Sequence, residues 1–149
     1  MSKKQDILYD FLIRHAWHRI SRMYNQKASE HQMTMSIGFI LMIVDKEGTP
    51  STQLGPRMGM EPTSLSRTIK TMEDRGLIRR EEDIIDKRKV LIFLTEEGVG
   101  FRRMVKETIV EFNEKILASI PKEKLDIFQE VIHQMDQLVE EELKNNSKK

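Results

Sequence analysis

The chain of 149 residues contains no cysteine. This absence excludes a disulfide scaffold, a thiol nucleophile and any metal site built from thiolates. Long apolar runs are also missing, since the longest, residues 39–44, is far below the roughly 20 residues that span a bilayer. Charged residues interrupt the N-terminal segment where a signal peptide would need an apolar stretch. We therefore expect a cytoplasmic protein without a membrane partner.

Sequence motifs for catalysis are absent too. The chain has no Gly-rich phosphate loop, no Gly-x-Ser-x-Gly elbow and no metalloprotease helix motif. Its carboxylates are scattered over segments with a helical pattern. We expect no enzymatic activity and no cofactor.

A large net charge is the third absence, because the formal charge is only +1. The distribution is nevertheless uneven. Basic residues cluster in the middle of the chain, at 79–80, 87–89 and 102–103, whereas acidic residues outnumber basic ones over 104–144. Phosphates repel an acidic surface. A nucleic acid would therefore bind the middle of the chain.

Apolar spacing predicts two helices in the first third. Apolar residues recur at steps of three and four over 5–29. A second helix, capped by Thr34 or Ser36 and running through Val44, is apolar nearly all round and should be buried. A turn is expected at 45–50.

Two short helices with a tight turn are predicted next. Ser51 should cap the first helix and Gly59 should end it, while Pro62 should begin the second and Gly76 should end it. Small and apolar residues are expected where the helices cross: Leu54, Gly55, Met58, Leu65 and Ile69. This spacing is typical of a helix-turn-helix.

Two strand-length runs, 77–81 and 90–94, should then form a hairpin. The order of elements predicts a mainly α protein with a small β-hairpin wing, in which residues 34–100 form a winged helix-turn-helix lobe. Such a lobe places one helix in a major groove of DNA and a basic loop in the minor groove. Polar and basic side chains stand on these two elements. The predicted DNA-binding set is Ser51, Thr63, Ser64, Ser66, Arg67, Lys70, Asp86, Lys87, Arg88 and Lys89.

Two long helices should complete the chain. Thr95 should cap the first and Pro121 should end it, the last should run from Lys122 to about Leu143, and 145–149 should be disordered. The last helix repeats apolar residues in the pattern of a two-helix seam. We expect 5–29 and 101–144 to form a homodimer, although packing within the chain is the alternative. The candidate dimerisation residues are Ile7, Leu8, Phe11, Leu125, Phe128, Ile132, Met135 and Val139.

The middle third resembles the MarR family of bacterial regulators. The residues that carry the resemblance are Leu54-x4-Gly59, Thr63-Ser64-Leu65-Ser66-Arg67, Met72-Glu73-x2-Gly76-Leu77-Ile78-x-Arg80 and Asp86-Lys87-Arg88-x5-Leu94-Thr95-x2-Gly98. The resemblance implies one domain over 1–149 and a recognition helix around 63–70. It also implies that Arg88 enters the minor groove, steadied by Asp86. It further implies a homodimer that binds a pseudo-palindromic promoter site of double-stranded DNA, usually as a repressor, and releases it on binding a small aromatic or phenolic effector.

Two segments depart from the family pattern. Pro56 lies inside the first short helix, where it removes an amide donor and should kink or shorten the helix. Residues 83–85, Asp-Ile-Ile, stand where many members have a more basic wing. Either the wing is electrostatically weaker, or Ile84 and Ile85 pack against another surface.

The first helix carries two further candidate sites. His15 and His18 share a face, but a metal site would need a third ligand such as Glu30, His31 or His133, so we expect no metal site. His15, Trp17 and Arg19 form a tentative effector pocket, although packing plus a surface arginine is the favoured interpretation. The alternative function for the whole chain is a helical interaction module whose winged lobe binds a protein.

Overall fold

The computed structural model describes residues 6–148, and over this range it contains six helices and three short strands. The helices are α1 (Tyr9–Ser29), α2 (Met35–Ile43), α3 (Ser51–Met58), α4 (Pro62–Asp74), α5 (Glu96–Ser119) and α6 (Lys122–Ser147). The strands are β1 (Thr49–Pro50), β2 (Ile78–Glu82) and β3 (Val90–Leu94). The predicted mainly α fold with a β wing is confirmed.

The hydrophobic core surrounds α2. Ile40 and Leu41 are fully buried there, and Leu54, Met72 and Ile92 meet them from α3, α4 and β3. As predicted, α2 is a central buried helix, because almost every side chain it offers is apolar. The Thr34 hydroxyl caps it by accepting the amide of Ile37 at 3.2 Å.

The strands form one antiparallel sheet in the order β1-β3-β2. The hairpin partners run from Ile78 opposite Leu94 to Glu82 opposite Val90. The third strand, β1, was expected to be part of a turn. It consists of two residues that pair with Leu91 and Ile92, and so short a strand leaves no alternating pattern in the sequence.

The helix-turn-helix follows the predicted layout except at its first residue. Ser51 is the first helical residue of α3 and does not cap it; Pro50 occupies the N-cap, and no side chain bonds the free amides. Gly59 ends α3 with a φ of +61°, and Gly76 follows α4 with a φ of +72°, values that favour glycine. Pro56 lies within the last turn of α3, which stays helical to Met58.

Two predicted ends are wrong. The first helix begins at Tyr9 rather than at residue 5, with Leu8 as an extended N-cap; residue 5 itself lies outside the described residues. The last helix continues to Ser147 instead of ending near Leu143. Its polar final turn extends a helix that is already formed, and propagation is much easier than nucleation.

Two compact units divide the chain, Met1–Lys106 and Glu107–Lys149, with the boundary inside α5. The first unit contains the buried core. In the second, α6 has no buried residue. None of the described helices combines the length and the apolarity that crossing a membrane requires.

Candidate nucleic-acid interface

The outer face of α4 is polar and free of core contacts. Leu65, Ile69 and Met72 anchor the helix in the core at steps of four and three. Thr63, Arg67 and Lys70, also spaced by four and three, therefore share the opposite face, and all three are exposed. Ser64 and Ser66 are exposed on the two flanks of that face. The structure thus brings together all five residues predicted on this helix.

The cations on α4 are available to an anionic partner. Lys70 Nζ lies 3.8 Å from Asp74 Oδ2, and both side chains are largely exposed, so this ion pair is weak and exchangeable. Within residues 6–148, Arg67 forms no ion pair. An arginine that is not engaged can form bidentate bonds with phosphate or with the edge of guanine.

The wing loop connects β2 to β3 and carries the second set of cations. Arg88 is 94% exposed, and its Nε lies 3.5 Å from Asp86 Oδ1. The same carboxylate oxygen accepts the backbone amide of Arg88 at 3.1 Å. The predicted ion pair between Asp86 and Arg88 is therefore present. Lys87 and Lys89 are also exposed.

A cavity of about 710 Å³ lies among α3, α4 and β2. Its apolar lining includes Leu65 and Ile69, and its polar lining includes Ser51 and Ser66. Arg80 closes one side, with its Nε 3.0 Å from Glu73 Oε2. From the sequence, Arg80 belongs to a basic cluster and to the motif that resembles the MarR family, but no role at this site was predicted for it. Its place beside α4 depends on the register of β2, which the sequence does not reveal.

The C-terminal end of α4 is joined to two neighbouring segments. Arg75 donates from its guanidinium to the carbonyls of His31 and Gln32, between α1 and α2. Thr95 donates its hydroxyl to the carbonyl of Gly76 at 2.6 Å and accepts the amide of Gly98 at 3.0 Å. The predicted cap at Thr95 is confirmed, and it also holds the end of α4 against the start of α5.

The tentative effector residues on α1 do not converge on one point. His15 and Arg19 are exposed, whereas Trp17 is half exposed and stacks on Phe39 with ring centroids 6.1 Å apart. Tyr24 meets the edge of the Phe39 ring at 6.3 Å. Burial raises the pKa of the Tyr24 phenol above its ordinary value, so the group is neutral near pH 7. The aromatic side chains thus pack together, and the role of His15, Trp17 and Arg19 in effector binding stays a prediction.

No cluster of three or more His, Asp or Glu side chains suited to a metal ion occurs within residues 6–148. His15 and His18 are exposed on α1. Among the described residues, this pair is therefore not part of a cluster of that kind.

Exposed apolar side chains cover the predicted dimerisation segments. In the first unit, Ile7, Leu8 and Phe11 are each more than half exposed. In the second, Phe128 is 62% and Val139 54% exposed, and Ile132 is just above a third; Leu125 and Met135 are partly buried. Apolar surface of this extent is unusual on a monomer.

Comparison with known proteins agrees with this geometry. The sequence model of the MarR family matches residues 33–90, which contain α2, α3, α4 and the hairpin up to the first residue of β3. This part of the chain is similar to the MarR family. The regulator TtmR of Methylorubrum extorquens is 30% identical over 93 residues, which are 62% of this chain and 48% of TtmR, so the chain spans about half of that relative. The transcriptional regulator HosA of Escherichia coli is 25% identical over 126 residues, covering 80% of this chain and 93% of HosA.

Solved structures show which fold the chain has. The Staphylococcus aureus MepR–DNA complex superposes with a TM-score of 0.79 at 18% identity, covering 89% of this chain and 98% of MepR. The transcriptional regulator SlyA superposes with a TM-score of 0.81 at 20% identity, covering 91% and 96%. At these identities the likeness establishes the winged-helix fold.

Proposed function

We propose that this protein is a transcriptional regulator of the MarR family that binds double-stranded DNA through α4 and the wing. The observation that carries the proposal is that one lobe presents two exposed polar surfaces, the outer face of α4 and the wing loop. The core behind them is complete, because Leu65, Ile69 and Met72 already fill the inner face of α4. The outer face of α4 contributes nothing to that core, and its composition suits phosphates and base edges.

Each element has a distinct role in this proposal. The α4 helix enters the major groove, where Arg67 and the flanking hydroxyls of Ser64 and Ser66 meet base edges or phosphates. Lys70 neutralises a phosphate. Arg88 enters the adjacent minor groove, and Asp86 limits the rotamers of its guanidinium. Ser51, on α3, lines the same cavity as Ser66 and would contribute a hydroxyl to a phosphate.

We propose that the working form is a homodimer. The exposed apolar residues of 7–13 and of α6 would be covered by a second copy, which would remove them from water. Two recognition helices related by a two-fold axis would read a pseudo-palindromic promoter site with half-sites about 34 Å apart. Repression follows if this site overlaps a promoter, and an aromatic or phenolic effector bound near His15, Trp17 and Arg19 would release the DNA.

Selection from a random duplex library tests the proposal. The purified protein is incubated with the library at low salt, bound duplexes are sequenced, and the mass of the free protein is measured in solution. We expect an enriched pseudo-palindrome and the mass of a dimer. A folded dimer that enriches no sequence, and that is not retained on bulk DNA, would instead support the protein-interaction module.

A further inference from the structure

Two isoleucines at the tip of the wing face solvent completely. Ile84 and Ile85 are each 95% exposed. The sequence left open whether they pack against another surface, and within residues 6–148 they do not. Loop tips are ordinarily polar, because turn residues such as Asp, Asn, Ser and Gly are favoured there. An adjacent pair of fully exposed, β-branched apolar side chains at this point therefore suggests a contact that the isolated chain lacks.

Hydrogen bonds hold this tip in one conformation. Asp83 Oδ1 accepts the amide of Ile85 at 2.9 Å, and the amide of Asp83 donates to the carbonyl of Lys89 at 3.0 Å. The amide of Lys89 donates to the carbonyl of Asp86 at 2.9 Å. The isoleucines are consequently presented by an ordered loop, so less conformational entropy is lost when they are buried by a partner.

The charges around the tip indicate the chemistry of that partner. Lys87, Arg88 and Lys89 follow the isoleucines directly and are exposed, whereas the carboxylates of Asp83 and Asp86 accept backbone amides of the loop itself. The partner should therefore be anionic at its rim and apolar further in. The minor groove of DNA offers both features, because phosphates line its edges, whereas the sugar walls and the faces of the stacked bases that an inserted side chain would meet are apolar.

We propose that Ile84 and Ile85 form an apolar wedge that enters the minor groove beside Arg88 and opens a base step there. Apolar side chains inserted between base pairs unstack a step and bend the duplex. Pyrimidine–purine steps such as TA and CA deform most easily. The wing would thereby favour these steps without hydrogen bonds to their bases. This inference rests on the proposed binding of DNA by the lobe.

Replacing both isoleucines tests the wedge. The double variant Ile84→Ser with Ile85→Ser removes the apolar surface, and Ile84→Val with Ile85→Val is the matched control that keeps it. Affinities are measured by fluorescence anisotropy on the selected duplex across a range of salt concentrations. We expect the serine variant to bind on the order of 10- to 100-fold more weakly, because it loses most of the apolar area that the two isoleucines would bury. The valine variant should bind almost as the parent does.

The salt dependence and the base step separate this effect from lost charge. The serine variant removes no cation, so its plot of log affinity against log salt should keep the parent slope, while Arg88→Ala should reduce the slope by about one unit. The parent should prefer TA or CA over AA at the step beneath the wing, and the serine variant should lose that preference. A 2-aminopurine at this step should brighten with the parent protein and stay quenched with the serine variant.

The possible results are distinguishable. Equal affinity and equal step preference for the parent and the serine variant would overturn the wedge while leaving DNA binding intact. Failure of the parent to bind any selected duplex would overturn both proposals. A change in the solution mass of the serine variant without DNA would show that the isoleucines contact a second protein chain, which also overturns the wedge. Because both side chains are exposed, the far-ultraviolet circular dichroism of both variants should match the parent.

Discussion

Gly98 is expected to tolerate no side chain, although it lies in an ordinary helix. A Cβ atom built at this position would lie 2.1 Å from the carbonyl oxygen of Leu77 and 3.1 Å from its carbonyl carbon. The first distance is roughly 1 Å shorter than a van der Waals contact. The neighbour is backbone rather than a flexible side chain, and Thr95 holds it by donating its amide to the same oxygen at 3.1 Å.

The size of the effect follows from two opposing terms. Alanine is favoured over glycine in a helix by about 1 kcal/mol. Overpacking a well-filled site costs about 1–3 kcal/mol, and a backbone neighbour places Gly98→Ala at the upper end. We therefore expect Gly98→Ala to lower the free energy of unfolding by about 2 kcal/mol. Gly100, two residues further along the same helix, has nothing within 4 Å of its built Cβ, so Gly100→Ala should raise stability by up to about 1 kcal/mol.

Urea unfolding measures both variants. The fluorescence of Trp17, the single tryptophan, reports on its stacking with Phe39, and circular dichroism reports on the helices. Total protein concentration must be equal in all samples, because the stability of a dimer depends on it. The reasoning is refuted if Gly98→Ala unfolds at the same urea concentration as Gly100→Ala or above it.

Three further substitutions test other contacts. Thr34→Ala removes the cap of α2 and should cost about 1 kcal/mol of unfolding free energy in the same urea assay; an unchanged midpoint would contradict the capping role. Arg88→Ala should weaken binding to the selected duplex by about 1–3 kcal/mol if its guanidinium enters the minor groove, and equal titration curves would argue against that role. Lys70→Met should weaken binding to all duplexes alike and flatten the salt dependence, whereas loss of discrimination at one base position would make Lys70 a base-reading residue.

The sequence predicts the elements of the lobe well because their ends carry strong local signals. Pro62 and Gly76 bracket α4, and Gly59 ends α3, since each residue has a backbone preference that few others share. The spacing of Leu65, Ile69 and Met72 then determines which face of α4 is buried. The polar face follows from this by elimination, which is why the polar side chains predicted on α4 lie on its exposed face.

Features that depend on contacts between residues far apart in the sequence were harder to predict. The strand β1 exists only because Thr49 and Pro50 pair with Leu91 and Ile92, far along the chain. Ser51 was expected to cap α3 because serine favours that position, but the helix begins one residue earlier than a serine cap requires. The contacts of Ile84 and Ile85 could not be chosen from the sequence, because apolar residues in a loop are compatible with both packing and exposure.

The bonds at the end of α4 have a mechanical consequence. Arg75 fastens this end to the segment between α1 and α2, and Thr95 fastens Gly76, just beyond it, to the start of α5. A helix that is bonded to two neighbouring segments resists sliding or tilting by itself. We therefore expect α4 and these segments to move together as one rigid body. If the proposed dimer binds DNA as inferred above, a signal that lowers its DNA affinity would shift α4 together with its neighbours. Regulation would then change the distance between the two copies of α4 rather than the shape of either one.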